Sequence, residues 1–301
     1  MAAEATKNYV LFPGCTIGNR IPFLEASARA VFEKLGVTFE DAAFSCCPEP
    51  VGFQSVDKES WLALGARNLC IAEAAGKIVV SLCNGCTQTL KAVNHELQSS
   101  PESKAHVNEI LAKVGKEFKG STIVKHFVQT LIDDVGIANI KAAVVKPLTG
   151  LKVACHTGCH YSRPSEVMQW DDPMHPKYLR ALVEALGAKA VDYDEEILCC
   201  GNGAAMADED VSNKLNLRKY KSALKAGAEC MAVVCPACFQ QLDSKQPNIN
   251  KAFGTDINLP VLYLTELMAL AMGMSPTDIN LKMHRVKTDP VTGKLGVKAE
   301  E

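Results

Sequence analysis

Two pairs of adjacent cysteines, Cys46-Cys47 and Cys199-Cys200, constrain this chain more than any other feature of its sequence. A disulfide between neighbouring residues is strained, because disulfide geometry requires the two Cα atoms to lie well apart. Two adjacent thiolates also fit poorly around a single small tetrahedral ion. They fit better on a group that contains several metal atoms, where each sulfur can bind its own metal. The pairs therefore indicate a polynuclear metal site.

The cysteines around these pairs are repeated along the chain. Cys15 corresponds to Cys159, 144 residues later, and the adjacent pairs lie 153 residues apart. The Cys-x-x-Cys motif that begins at Cys83 returns at Cys235, 152 residues later. Ten of the 13 cysteines thus form two matched sets of five. Internal duplication is the simplest explanation of this pattern.

Short apolar runs alternate with segments of helical periodicity in both halves. This alternation predicts an α/β fold of two pseudo-symmetric repeats, residues 1–149 and 150–301, each a small, mostly parallel sheet flanked by helices. A helix is predicted over residues 21–35, and Asp57 is expected to cap another helix that Gly76 ends. Every matched cysteine is expected just after a strand. The five of each repeat should therefore converge at the carboxyl edge of their own sheet.

Composition narrows the functional classes. The net charge of −2 gives no electrostatic reason to expect nucleic acid or an acidic membrane as a partner. Residues 1–6 lack the apolar segment of a signal peptide, and the most apolar late run, residues 261–274, is too short and too polar to span a bilayer. We therefore expect a cytoplasmic protein with no membrane span. In that reducing compartment, an odd number of cysteines indicates metal or redox chemistry rather than a disulfide framework.

Several kinds of site compete for these cysteines. A zinc site uses four ligands and leaves one sulfur of each repeat unexplained. The segment from Cys155 to His160 resembles a haem attachment motif with the wrong spacing. A metal-free dithiol at Cys235 and Cys238 is the main alternative, because a helix N-terminus would activate the first thiol. The additional cysteines of each repeat favour an iron–sulfur cluster of unusual form, since ordinary clusters take four cysteines.

Three cysteines have no counterpart in the other repeat: Cys70, Cys155 and Cys230. A buried free cysteine behaves as a small hydrophobic residue. We interpret all three as packing residues, although Cys155 lies only four residues before Cys159.

The complete pattern resembles the cysteine-rich CCG domain family, whose characteristic tripeptide stands at Cys199-Cys200-Gly201. The first copy departs from it with Pro48 after the pair. The tandem arrangement over residues 10–272 is most similar to the B subunits of heterodisulfide reductases. Relatives with the same repeat serve glycolate, lactate and glycerol-3-phosphate oxidation and an unusual succinate dehydrogenase. A second hypothesis is therefore an iron–sulfur electron-transfer subunit of a hydroxyacid oxidase or a succinate dehydrogenase-like complex.

The resemblance implies two non-cubane 4Fe–4S clusters, with the disulfide of coenzyme M and coenzyme B (CoM-S-S-CoB) bound and reduced between them. The implied ligands are the five cysteines of each repeat: Cys15, Cys46, Cys47, Cys83 and Cys86 for one cluster, and Cys159, Cys199, Cys200, Cys235 and Cys238 for the other.

The resemblance also implies partners. They are a ferredoxin-like C subunit, a flavin-containing A subunit, and a hydrogenase or a formate dehydrogenase. The sequence itself has no flavin, nicotinamide or P-loop motif, so electrons must come from elsewhere. The polar segment 98–120 and the charged segment 278–301 are candidate docking regions. A surface insertion and a flexible tail are the simpler interpretations of these two segments.

Other residues near the cysteines are weaker candidates. Arg20 and Arg163 are expected either to contact the anionic ends of the substrate or to pair with acidic neighbours. Proton donation is the candidate role of His160, Tyr161 and His156, and a hydrogen-bonded core or surface histidine is the simpler interpretation of the two histidines. Asn84 and Asn202 either tune the site through hydrogen bonds or simply form tight turns.

Overall fold

The computed structural model describes residues 9–297. It contains two four-stranded sheets, and all strand pairs within them are parallel. The strands of the first sheet are β1 (Tyr9–Phe12), β2 (Phe39–Glu40), β3 (Ile78–Ser81) and β4 (Val124–His126). Those of the second are β5 (Lys152–His156), β6 (Lys189–Val191), β7 (Cys230–Val233) and β8 (Val261–Tyr263).

The two sheets have the same topology, which confirms the predicted α/β fold of two pseudo-symmetric repeats. Their strand orders are β2-β1-β3-β4 and β6-β5-β7-β8. The registers match as well: Phe12 pairs with Ser81, and His156 pairs with Val233, each two residues before the Cys-x-x-Cys motif of its repeat. Residues 12 and 156 therefore occupy equivalent positions.

Helices flank the sheets. In the first repeat they are Cys15–Arg20, Phe23–Lys34, Gly52–Val56, Lys58–Ala75, Asn84–Ser99, Pro101–Ala112, Phe127–Thr130 with a π-helical continuation Leu131–Val135, and Ile137–Ala142. In the second they are the 3₁₀ turn Cys159–Tyr161, Ser165–Met168, Tyr178–Ala185, Glu209–Lys225, Pro236–Phe239 with a π-helical continuation Gln240–Ser244, Gln246–Phe253, Leu264–Ala271, the 3₁₀ turn Leu281–Met283, and Asp289–Lys294.

Local chemistry explains several helix ends. The Asp57 carboxylate accepts a hydrogen bond from the Ser60 amide at 3.0 Å and caps the helix as predicted. Gly76 ends that helix with a φ of 63°, a left-handed conformation that glycine adopts without a Cβ clash. The helix predicted over residues 21–35 is present as Phe23–Lys34. A separate short helix, Cys15–Arg20, precedes it, and the backbone at Ile21 between the two is not helical.

The two repeats share one hydrophobic core. The helix Phe23–Lys34 of the first repeat packs against Leu264–Ala271 of the second. Between them, the hydroxyls of Ser27 and Thr265 form a buried hydrogen bond of 2.8 Å, which we call the inter-repeat hydroxyl pair. The rings of Phe127 and Tyr263 also stack across the repeats, with centroids 5.4 Å apart. The repeats are therefore held in a fixed relation to each other.

The structure changes the interpretation of the two candidate docking segments. Residues 98–120 contain the helix Pro101–Ala112, and Val107, Leu111 and Phe118 bury one side of this segment. The C-terminal segment is not a free tail as far as residue 297, because Val291 and His284 are buried. Residues 298–301 lie outside the described part of the chain.

Candidate metal centre

One cavity of about 180 Å³ lies at the carboxyl ends of the central strands of both sheets. All ten matched cysteines line it: Cys15, Cys46, Cys47, Cys83, Cys86, Cys159, Cys199, Cys200, Cys235 and Cys238. Each set was expected at the edge of its own sheet. The fold also turns the two edges toward each other, so both sets share one space.

The Cys-x-x-Cys motifs lie where a strand runs into a helix. Cys83 is the N-cap of the helix Asn84–Ser99, and Cys235 is the N-cap of the helix Pro236–Phe239. The positive end of a helix dipole favours anionic sulfur at these positions. The pKa of Cys235 is held well below its usual value, first by the thiols of Cys238 and Cys83 and then by backbone amides of the helix start.

Two glycines allow the chain to pass close to these sulfurs. Gly14 has φ 76° and ψ 165°, and Gly158 has φ 80° and ψ 165°, a region essentially restricted to glycine. A Cβ at Gly14 would lie 2.9 Å from the sulfur of Cys86, and a Cβ at Gly158 would lie 3.1 Å from that of Cys238. The backbone before Cys15 and before Cys159 thus forms one wall of each sulfur group.

The adjacent cysteine pairs lie on loops rather than directly after strands, so the prediction was wrong for these four. Cys46 follows the end of β2 at residue 40 by six residues, and Cys199 follows the end of β6 at residue 191 by eight. Buried side chains fix the loops instead. The Asn68 amide donates to the Cys46 carbonyl at 3.0 Å, and the Lys219 ammonium donates to the Glu196 carbonyl at 3.2 Å.

The sulfurs form a continuous series across the cavity. Cys15 and Cys46 are 4.0 Å apart, and Cys200 and Cys238 are 3.4 Å apart. A contact between the thiols of Cys83 and Cys235 joins the two repeats, and it is the main reason that the pKa of Cys83 is raised. None of the described cysteines forms a disulfide. The first repeat is the more open of the two, since Cys15 and Cys46 are exposed and Cys159 and Cys199 are half-buried.

The proton-donor candidates lie at different distances from this cavity. His160 lines it and is half-buried. Tyr161 is buried beside the rings of His126 and Trp170 and is not part of the cavity wall. His156 is completely buried, and burial lowers its pKa to about 3, which keeps its imidazole neutral.

The two candidate arginines also differ in their surroundings. Arg163 donates to the carbonyls of Cys159 at 3.4 Å and of Ile197 at 3.2 Å, so it ties two loops of the second repeat together. Arg20 is exposed, and no ion pair to it is seen among residues 9–297. Neither arginine lines the cavity.

Asn84 and Asn202 both lie in the cavity wall. The Asn84 amide donates to the Thr157 carbonyl across the repeats at 2.6 Å, and its oxygen has no partner. The Asn202 oxygen accepts a hydrogen bond from Gln241 at 3.1 Å. Asn84 therefore links the repeats in addition to any role toward a ligand.

The three unmatched cysteines lie outside the cavity wall and are buried. Cys155 belongs to β5, and its carbonyl accepts a hydrogen bond from the Tyr193 hydroxyl at 2.7 Å. Cys230 begins β7, and Cys70 lies on the helix Lys58–Ala75.

These features fit an iron–sulfur group. The cavity holds ten unpaired thiols, and beside it are buried polar atoms that lack partners, namely the Asn84 oxygen and both ring nitrogens of His156. Buried polar atoms are rarely left unpaired, and a polar ligand in the cavity would supply partners for these atoms. Gly14 and Gly158 also leave space beside the sulfurs of each repeat, which a larger side chain at either position would fill.

The fold and the cavity define a duplicated cysteine-rich redox protein, and comparisons with known proteins agree. The family described as "Cysteine-rich domain" (CCG) matches residues 9–91 and 153–243. The chain is 37% identical over 95% of its length, and 96% of the relative, to the B subunit of the ferredoxin/F(420)H(2)-dependent CoB-CoM heterodisulfide reductase from Methanosarcina acetivorans. It is 31% identical over 93% of its length, and 97% of the relative, to "8-methylmenaquinol:fumarate reductase membrane anchor subunit" from Wolinella succinogenes.

The chain therefore belongs to the cysteine-rich CCG domain family, in the tandem form that it shares with B subunits of heterodisulfide reductases. It is an iron–sulfur redox subunit with an oxidoreductase role in a complex. A hypothetical protein from Helicobacter pylori has the same fold, with a TM-score of 0.75 at 17% identity over 94% of this chain and 52% of that one. Within residues 9–297, no helix is both long and apolar enough to cross a membrane.

Sequence reasoning missed two residues near the sulfurs. Lys219 is fully buried on the helix Glu209–Lys225, and Glu49 lines the cavity beside Cys47. The repeat offers a signal for Glu49, since the same offset that relates the adjacent cysteine pairs relates it to Asn202. No sequence signal distinguishes Lys219 from the many exposed lysines of amphipathic helices.

Proposed function

We propose that this chain is the catalytic subunit of a heterodisulfide reductase, which reduces CoM-S-S-CoB to its two thiols. The observation that carries the proposal is the single cavity into which both sets of five cysteines open. Reduction of a disulfide needs two electrons. Two equivalent sites that open into the same cavity, each supplying one electron, suit a bond between two sulfurs. Its repeats would be residues 1–149 and 150–301.

Two non-cubane 4Fe–4S clusters would be held by the cysteines named above, five to each repeat. When bound, the clusters supply one electron each and a Lewis-acidic iron for each departing sulfur. The protein supplies a rigid frame, because Cys83 and Cys235 are N-caps of helices that start directly after buried strands. A frame that fixes both ends of the substrate bond removes much of the orientation cost of the reaction.

Protons and charge complete the chemistry. Each thiolate formed must take up one proton, and His160 is the proposed donor, because its half-buried side chain lines the cavity. The two ends of the substrate carry a sulfonate and phosphate and carboxylate groups. Arg20, exposed five residues after Cys15, is the proposed contact for one anionic end. Arg163 is instead committed to backbone carbonyls and would act by holding its loop.

Electrons would reach the chain from a ferredoxin-like C subunit together with a flavin-containing A subunit. A hydrogenase or a formate dehydrogenase would supply electrons to these two subunits. The names of two Methanosarcina relatives include ferredoxin, which supports a ferredoxin as a source of the electrons.

A relay function is the second candidate, in which clusters pass electrons without touching a substrate. It is favoured by the similarity to a subunit of an 8-methylmenaquinol:fumarate reductase. The relay would use the same ten cysteines, so the difference lies in whether the cavity admits a disulfide.

One set of measurements separates these functions. Anaerobically purified protein should contain about eight irons and a similar amount of acid-labile sulfide per chain. With reduced viologen as donor, it should then release two thiols for each CoM-S-S-CoB consumed. Protein with full iron that releases no thiol, even with the C subunit present, would establish the relay instead. Iron-free protein that was never exposed to air would leave only the metal-free dithiol chemistry.

A further inference from the structure

The two sulfur groups differ most at one pair of equivalent positions. Phe12 and His156 each pair with the residue two before the Cys-x-x-Cys motif of their own repeat. Phe12 is buried against the ring of Phe44, with centroids 4.9 Å apart. The second repeat thus has a polar imidazole where the first has a hydrocarbon ring.

His156 is placed to contact the group that the second repeat holds. A ring nitrogen of His156 and the sulfurs of Cys200 and Cys238 all lie within 4.8 Å of one another. The side chain is completely buried, and neither ring nitrogen makes a hydrogen bond of normal geometry, although the Glu196 carbonyl lies near the ring. That carbonyl already accepts a hydrogen bond from Lys219 at 3.2 Å, so an acceptor on the bound group would give the buried N–H its partner.

Charged residues extend the difference between the repeats. Lys219 of the second repeat and Arg67 of the first both donate to the carbonyl three residues before their adjacent cysteine pair. Lys219 is fully buried, whereas Arg67 is half-exposed, so only the lysine places its charge in a poorly screened position. In the first repeat, Glu49 lines the cavity where the second repeat has the neutral Asn202. The Glu49 carboxylate accepts hydrogen bonds from the amides of Val51 at 3.0 Å and Phe53 at 3.2 Å, and it keeps a negative charge at this side of the site.

We propose that the second repeat holds its cluster at a higher reduction potential than the first, with His156 as a hydrogen-bond donor to that cluster and Lys219 as a buried countercharge. The inference rests on the proposed function, since it requires a cluster in each repeat. Reduction adds one negative charge to a cluster. A donor and a cation stabilise that charge, and a carboxylate opposes it.

The asymmetry gives the two ends of the disulfide unequal surroundings. With a cluster in each repeat, the first electron from a partner protein or from reduced viologen would go to the second repeat. The cluster of the first repeat, once a second electron had reduced it, would be the stronger reductant of the pair. His156 and Lys219 act through the cluster and are therefore positioning residues rather than catalytic ones.

Redox titration followed by electron paramagnetic resonance tests this inference. Cys15→Ser protein retains only the second cluster, and Cys159→Ser protein retains only the first, which assigns the two potentials. In the Cys15→Ser background, His156→Phe reproduces the first repeat. We expect about a tenfold smaller reduced-to-oxidised ratio at a fixed potential, equivalent to about 59 mV for one electron. His156→Gln keeps an N–H donor and should recover part of the shift.

A reciprocal variant separates the proposed effect from misfolding, because it is expected to raise a potential rather than to lower one. Phe12→His in the Cys159→Ser background should raise the potential of the first cluster, and Lys219→Met should lower only that of the second. Equal potentials in wild-type protein with full iron, or an unchanged potential in His156→Phe protein with full iron, would overturn the inference. Loss of both clusters from wild-type protein would instead overturn the proposed function.

Discussion

The glycines that wall the two sulfur groups give the sharpest test of the site. We predict that Gly14→Ala removes the cluster of the first repeat and leaves that of the second. The backbone at Gly14, φ 76° and ψ 165°, costs an alanine about 1–3 kcal/mol, which is roughly a five- to 150-fold loss in the population of the native loop. The added methyl would also lie 2.9 Å from the sulfur of Cys86.

That contact makes the sulfur move by several tenths of an ångström, whereas metal–ligand distances tolerate only about 0.2 Å. Iron per chain, measured after anaerobic reconstitution, should therefore fall from about eight to about four. Gly158→Ala should produce the same loss from the second repeat, because its Cβ would meet Cys238 at 3.1 Å.

Gly136→Ala is the matched control. Gly136 has a similar backbone, φ 84° and ψ 142°, but a Cβ there meets no atom within 4 Å. This variant should lower the free energy of unfolding in urea by a similar amount and keep full iron. Full iron in Gly14→Ala protein, or equal iron loss in Gly136→Ala protein, would refute the assignment of Gly14 to the cluster wall.

Three further predictions follow from single side chains. Cys46→Ser should remove about half of the iron, whereas Cys70→Ser, outside the cavity, should leave the iron content unchanged. Ser27→Ala breaks the inter-repeat hydroxyl pair and should cost about 1 kcal/mol in urea unfolding, and no loss would mean that the pair contributes nothing. Burial lowers the pKa of His284, but the Glu266 carboxylate at 2.8 Å outweighs it and the net pKa is raised. The stabilisation is therefore complete below about pH 6.5 and lost as pH rises through the folded pKa. In His284→Gln protein that pH dependence should disappear, and its persistence would contradict the assignment.

Much of the fold could be predicted from the sequence, because hydrophobic periodicity indicates the helices and strands, and capping and turn residues mark their ends. The apolar runs before Cys83 and Cys235 are strands in the structure, and Asp57 and Gly76 bound a helix as expected. Boundaries that depend on tertiary packing were less accurate. The helix expected over residues 21–35 spans Phe23–Lys34, but the short helix Cys15–Arg20 that precedes it was not predicted.

The duplication predicted which cysteines form the site, whereas only the family resemblance implied that the two sets face each other. Duplication identified all ten cysteines, since spacing alone pairs Cys15 with Cys159. It did not show that the two sets would meet in one cavity. That meeting depends on contacts between the repeats, such as the packing of the helix Phe23–Lys34 on Leu264–Ala271, which no local pattern encodes.

The residues that make the two sulfur groups unequal were the hardest to recognise. His156 is prominent in the sequence because it stands near Cys159, but its counterpart Phe12 becomes evident only from the strand registers. Lys219 looks like a surface residue until the helix is placed against the loop before Cys199. No periodic sequence pattern marks a buried charged residue, so its burial becomes evident only from the tertiary structure.

The most direct test of the central claim is an anaerobic crystal structure of the iron-loaded protein soaked with CoM-S-S-CoB. We predict iron density at both sets of five cysteines, with the sulfurs of the substrate, intact or cleaved, in the cavity between them. Full iron density at both sets with the heterodisulfide bound elsewhere, or with the space between the sets closed to it, would contradict the account.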